Sequence, residues 1–152
     1  MASPATPKVP TSTDSAAIAS RLRVSATRLA RQLRQESSSG LSPSQVSALT
    51  SVERHGPLTL GRLAEHERVA PPSVTKVVTK LEEAGFVERR LDERDRRVAW
   101  LSITAAGADR LAQIHQRKTE WLAARLDALD DRERSRLADA LDALDALTAD
   151  PG

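Results

Sequence analysis

The chain of 152 residues contains no cysteine and no tyrosine, and only one phenylalanine and two tryptophans. The lack of cysteine excludes disulfides, thiolate zinc sites, cysteine nucleophiles and thiol-based peroxide sensing together. The scarcity of rings leaves few side chains able to stack on a ligand, and Trp100 and Trp121 are expected in the core. Long apolar runs are missing too, so no segment can span a bilayer. The Ala-, Ser-, Thr- and Pro-rich start at 1–13 lacks the apolar stretch of a signal peptide, and a cytoplasmic protein with a flexible tail at 1–13 is expected. There is no nucleophile–base pattern, no glycine-rich phosphate loop and no paired-carboxylate signature, so neither an enzyme nor a cofactor is expected. No two of His55, His66 and His115 stand at i, i+3 or i+4, which rules out a metal site on one helical face.

Net charge is scarce as well. It is +2, and the pI near 9.5 reflects how few groups titrate between about pH 6 and 10 rather than a basic surface. The distribution is more telling. Residues 1–34 carry six Lys/Arg against one Asp, whereas 127–152 carry three Arg against eight Asp/Glu. Such asymmetry suits ends that meet each other, within a chain or across a dimer, while a central segment meets a polyanion; the ordinary alternative is two solvated helix faces.

What is present is ordinary for a globular domain, with 39% hydrophobic and 29% charged residues. Ile18, Leu22, Ala26, Leu29 and Leu33 recur at helical spacing and predict an amphipathic helix over 14–36, ended by the serine run and Gly40. Ser42, Pro43 and Gln45 form a capping box with proline at the first helical position, starting a helix that carries Val46, Leu49 and Val52 inward and stops at Gly56 and Pro57. Leu58 can form a minimal strand. Thr59 caps a short helix over about 60–67, and Pro71 and Pro72 open another that buries Val74, Val77, Val78 and Leu81 and ends at Gly85. Residues 86–91 and 97–103 read as two strands around a polar loop, hence a hairpin. Thr104 caps a long helix with Leu111, Ile114, Trp121, Leu122 and Leu126 on its apolar stripe. Asp130 and Glu133 make an acidic capping box for the last helix, lined by Leu137, Leu141, Leu144 and Leu147. The fold class is mainly α with a small β-hairpin. Two short helices joined by a tight turn and followed by a hairpin describe a winged helix-turn-helix.

With its apolar face buried, the 71–84 helix shows Pro72, Ser73, Thr75, Lys76, Thr79 and Lys80, a hydroxyl-rich and basic face fit for bases and phosphates in a major groove. Its N-terminus is expected to add free amides and a partial positive charge, while Glu82 and Glu83 lie at the far end. Arg89, Arg90, Arg94, Arg96 and Arg97 fall within nine residues, interleaved with Asp92, Glu93 and Asp95, and segment 88–97 nets only +1. An arginine at a hairpin tip suits the electronegative minor groove, and neighbouring carboxylates can brace it. A solvated helix and a self-neutralised turn are the plain alternatives.

The run from Leu60-Gly61-Arg62-Leu63-Ala64-Glu65 through Pro72-Ser73-Val74-Thr75-Lys76 to Leu81-Glu82-Glu83-Ala84-Gly85-Phe86-Val87-Glu88-Arg89 resembles the helix-turn-helix of the MarR family. Asp92-Glu93-Arg94-Asp95-Arg96-Arg97 and Leu101-Ser102-Ile103-Thr104 resemble its wing and the entry into its fifth helix, and the similarity covers about 42–127. The resemblance implies a homodimer reading palindromic double-stranded DNA. Dimerisation helices lie at 14–40 and 105–150 around a DNA-binding domain at 41–104, with Ile18, Leu22, Leu137, Leu141 and Leu144 in the interface. It implies that Asp95 and Arg97 form an ion pair whose arginine enters the minor groove, with Arg94 and Arg96 as further phosphate contacts. Ala70 departs from the hydroxyl residue often found before the recognition helix. The resemblance also implies an effector, a small phenolic or aromatic acid held between the dimerisation helices and the winged domain; Arg21, Arg23 or Arg28 could hold its carboxylate if one faces inward. A repressor is the expected mode. The alternative is a winged-helix dimer acting as a protein-interaction module without DNA.

Overall fold

The computed structural model describes residues 14–36 and 40–149; the expected tail at 1–13, the serines at 37–39 and residues 150–152 lie outside them. Helix α1 (Ser15–Glu36) is followed by α2 (Pro43–His55), a short strand β1 (Leu58–Thr59), α3 (Leu60–Glu67), α4 (Pro71–Glu83), the hairpin strands β2 (Val87–Leu91) and β3 (Ala99–Ile103), α5 (Ala105–Asp127) and α6 (Asp131–Thr148). This is the element order that the periodicity predicts, mostly helical with one small antiparallel sheet.

Helix starts follow from side-chain chemistry. The Ser42 hydroxyl accepts from the Gln45 amide at 3.2 Å while Gln45 Oε1 accepts from the Ser42 amide at 2.7 Å. Asp130 and Glu133 repeat the arrangement for α6 at 2.7 and 3.4 Å. Thr59 and Thr104 cap α3 and α5 through the amides of Arg62 and Gly107. Each such cap contributes about 1 kcal/mol. α4 has no side-chain cap, because its N-cap is Ala70. Arg68 closes α3 in the left-handed region, at φ 52°, and donates its amide to the Ala64 and Glu65 carbonyls, which turns the chain sharply into α4.

The core sits in the middle of the chain. Leu49, Leu63, Leu81, Leu101 and Leu111, one each from α2, α3, α4, β3 and α5, are fully buried. Burial of each contributes about 1.5–3 kcal/mol. On α4, Val74, Val78 and Leu81 are buried as expected, but Val77 is only half-buried, because it packs against the core on one side and borders an open cavity on the other. The sheet runs β1-β3-β2, antiparallel throughout, with Leu58 opposite Leu101 and Val87 opposite Ile103.

Two hairpin boundaries differ from expectation. β2 begins at Val87, and β3 begins at Ala99 rather than at Arg97. The Val98 amide donates to the Asp95 carbonyl at 2.9 Å, so residues 95–98 are spent on the turn. Trp100 departs from its expected place in the core. It stands on the face of β3 opposite Leu101 and is 38% exposed. α1 packs along α5, yet neither α1 nor α6 contains a buried residue.

Candidate nucleic-acid interface

All six side chains expected on the outer face of α4 (Pro72, Ser73, Thr75, Lys76, Thr79 and Lys80) are exposed, since burial of Val74, Val78 and Leu81 turns the other side outward. The hydroxyls of Thr75 and Thr79 donate to the carbonyls four residues earlier, Pro71 at 3.1 Å and Thr75 at 2.9 Å. Donating to phosphate would require these hydroxyl protons to turn away from the carbonyls. The helix start also differs from expectation. Pro71 and Pro72 have no amide proton, and the Ser73 amide is already bonded to the Ala70 carbonyl at 3.0 Å. The first turn of α4 thus offers no free N–H to an anion. The polar side chains exposed nearest this end are those of Ser73 and Lys76, with Lys80 in the last turn.

The wing turn is ordered by two aspartates. Asp92 Oδ1 accepts from the amides of Arg94 and Asp95, both at 2.9 Å, and Oδ2 accepts from the Trp100 indole N–H at 3.0 Å. These donors hold its carboxyl below the usual carboxylate range, the indole N–H most strongly. Asp95 then receives Arg97 in a fork. Nε donates to Oδ1 at 3.0 Å, Nη2 to Oδ2 at 3.1 Å, and the Arg97 amide to Oδ1 at 3.0 Å. The guanidinium holds the Asp95 carboxyl below its ordinary range, and the carboxylate raises Arg97 in return. Arg97 nevertheless remains 91% exposed, so its orientation is set while its outer edge faces solvent. Arg94 and Arg96 are exposed and form no ion pair among the described residues.

One pairing does not follow from the sequence. Arg89 on β2 forks onto Glu82 in the last turn of α4, with Nε to Oε1 at 3.1 Å and Nη2 to Oε2 at 2.9 Å. Both side chains are about one-third exposed, 31% and 28%, so the pair contributes about 1 kcal/mol or less. Its geometric effect is larger, because it joins the far end of the helix to the base of the wing. Glu82, at the far end of α4, thereby touches the wing strand through Arg89. No local spacing rule marks a contact that crosses a helix end and a turn.

Two of the histidines meet across helices. His55 at the end of α2 and His66 on α3 stack face to face, with centroids 4.3 Å apart and planes within 5°. Periodicity within one helix could not show this pairing of two helices. No group of three or more metal-ligating side chains is found among the described residues. Arg21, Arg23 and Arg28 are all exposed, so none turns inward within the chain to hold a carboxylate. Trp121 is half-buried, with the Arg125 guanidinium 3.5 Å above its ring. No helix of the described residues is long and apolar enough to cross a membrane.

Known proteins resemble this chain in sequence and in fold. The MarR family model matches residues 41–99. The chain is 42% identical over 133 residues to an uncharacterized HTH-type transcriptional regulator of Mycobacterium bovis, covering 87% of this chain and 93% of that one. It is 30% identical over 99 residues to the HTH-type transcriptional repressor MdtR of Bacillus subtilis, covering 65% and 64%. Among solved structures, a transcriptional regulator of Pseudomonas aeruginosa superposes with a TM-score of 0.79 at 30% identity, covering 90% of this chain and 96% of that one.

Proposed function

Because the chain belongs to the MarR family of HTH-type transcriptional regulators, we propose that it binds a palindromic operator as a homodimer, with α4 in the major groove and Arg97 in the adjacent minor groove. The observation that carries this reading is the Asp95–Arg97 fork with its 91% exposed guanidinium. A guanidinium already oriented loses less side-chain freedom on insertion, and the narrow minor groove attracts it. α4 brings Lys76 and Lys80 to the phosphates flanking the same groove, and the Glu82–Arg89 pair fixes helix and wing as one reading unit. Repression is the mode of action, in line with the similarity to a repressor, and a small molecule modulates the affinity.

Titration of duplex binding against salt tests this. Lys76, Lys80, Arg94 and Arg96 of two protomers meet about eight phosphates, so log K should fall with log salt at a slope of about −7. Selection from a random duplex pool at low salt should enrich a palindrome whose half-sites lie about one helical turn apart. A pool that shows no enrichment and no protected duplex sinks the DNA reading and leaves a protein-interaction module in its place.

A further inference from the structure

An open cavity of about 290 Å³ lies between α2, the end of α3 and the start of α4. Its walls are largely apolar, formed by Ala48 on α2, Val69 in the turn, and Val74 and Val77 on α4. Val69 is 44% exposed and Val77 half-buried, so this apolar surface faces water in the single chain. Among the described residues, Glu67 is the one lining residue with an ionisable side chain. The Ser51 hydroxyl donates to Glu67 Oε1, which holds the carboxylate at one of its oxygens. A carboxylate offers about four acceptor positions, so this bond leaves it able to receive a charged donor.

We propose that this cavity binds a small hydrophobic amine, and that its occupancy lowers the affinity for DNA. An apolar wall gains from contact with a hydrocarbon body, and a positioned carboxylate selects an ammonium through a charge-assisted hydrogen bond while repelling an acid. The volume lies at the lower end of ligand pockets, which limits the occupant to a compact molecule. This chemistry is opposite in sign to an aromatic acid. The effect on DNA comes from position. Ser73, on the outer face of α4, also lines the cavity, and Val74 and Val77 place an occupant directly between α2 and α4. That second part rests on the DNA-binding reading above; binding of the amine does not.

The test uses 2-phenylethylamine, with 3-phenylpropionate as an acid of similar shape, on the full chain without DNA. The amine should shift the methyl resonances of Val69, Val74 and Val77, and the acid should not. Glu67→Gln should weaken the amine about tenfold, the loss expected for one charge-assisted bond. Ser47→Leu, which fills the cavity from the α2 side, should abolish binding. Thermal melting of both variants checks that they fold; if Glu67→Gln does not, Ser47→Leu alone carries the comparison. No saturable shift at these methyls, an acid that binds as tightly as the amine, or an affinity unchanged in the folded variants overturns the site. With a selected operator at fixed salt, the amine should lower DNA affinity several-fold for the unaltered chain and not for Ser47→Leu. An amine that saturates the cavity while leaving DNA affinity unchanged overturns the effector role.

Discussion

Removal of the Asp95 carboxylate separates two accounts of the wing. If the wing acts only through its charge, Asp95→Ala makes it more positive and should tighten DNA binding. If Asp95 orients Arg97, the same change frees a 91% exposed guanidinium from its fork and should weaken binding. The bracing account predicts a loss of several-fold in operator affinity, measured by fluorescence anisotropy, with little change in non-specific binding. Arg97→Ala should cost about 1–3 kcal/mol at the same operator, as loss of a specific groove contact does. Tighter binding by Asp95→Ala would leave the wing as plain charge. The pH dependence follows from the same pair. The Asp95 carboxyl is depressed in the folded chain, so the stability it lends is fully present above its unfolded value and is lost only as pH falls through the lower folded one. The fork therefore stays intact through mildly acidic buffers, and a loss of DNA binding near pH 6 must come from another group.

At the scale of elements, the junction of α4, β2 and α5 is held by close backbone approach. The Thr104 hydroxyl donates to the Gly85 carbonyl at 2.6 Å, and its amide donates to the Phe86 carbonyl at 3.0 Å. A Cβ on Gly107 would stand 2.1 Å from that Phe86 oxygen and 2.9 Å from Ile103 Cγ1. The carbonyl is pinned by Thr104 and cannot yield, so Gly107→Ala must push the start of α5 away from the wing. Urea unfolding should show a loss of about 1–3 kcal/mol, the usual effect of forced overpacking. An unchanged midpoint would mean that α5 is not seated here. Much of this scale was legible in the sequence. Ser42 with Gln45, Asp130 with Glu133, Thr59 and Thr104 act within three residues of themselves, so local chemistry alone set four helix starts. Two of the misses have the opposite property. The Glu82–Arg89 fork and the His55–His66 stack depend on the angle at which one element crosses the next, which no spacing rule encodes. The shortened β3 arose because the Val98 amide went to the turn instead of the ladder. The absent donors at the start of α4 were visible in Pro71 and Pro72 themselves, and only the Ser73–Ala70 bond completed the count.

At the scale of the whole molecule, the buried core stops short of both ends. Leu137, Leu141, Leu144 and Leu147 on α6 are 46%, 56%, 36% and 70% exposed, and Ile18 on α1 is 51% exposed. Apolar side chains at helical spacing on a helix with nothing buried form a surface that water disfavours, the usual mark of an interface. The charges suit this reading, since residues 1–34 are strongly basic and 127–152 strongly acidic, which would favour α1 of one copy against α6 of another. We propose that the dimer buries Ile18, Leu22, Leu137, Leu141 and Leu144, and Leu141→Glu tests it. In a two-fold interface the substitution acts twice, because each copy presents the same patch. Placing unpaired carboxylates there should cost at least about 3 kcal/mol, more than a hundredfold in the dimer dissociation constant. The core over α2–α5 does not include Leu141, so the variant should keep its helical circular dichroism while sedimenting as a monomer. Its operator affinity should then fall toward that of one half-site. Salt dependence should drop to about half, because one protomer meets half the phosphates. A variant that remains dimeric in sedimentation removes α6 from the interface and leaves its exposed leucines to another partner.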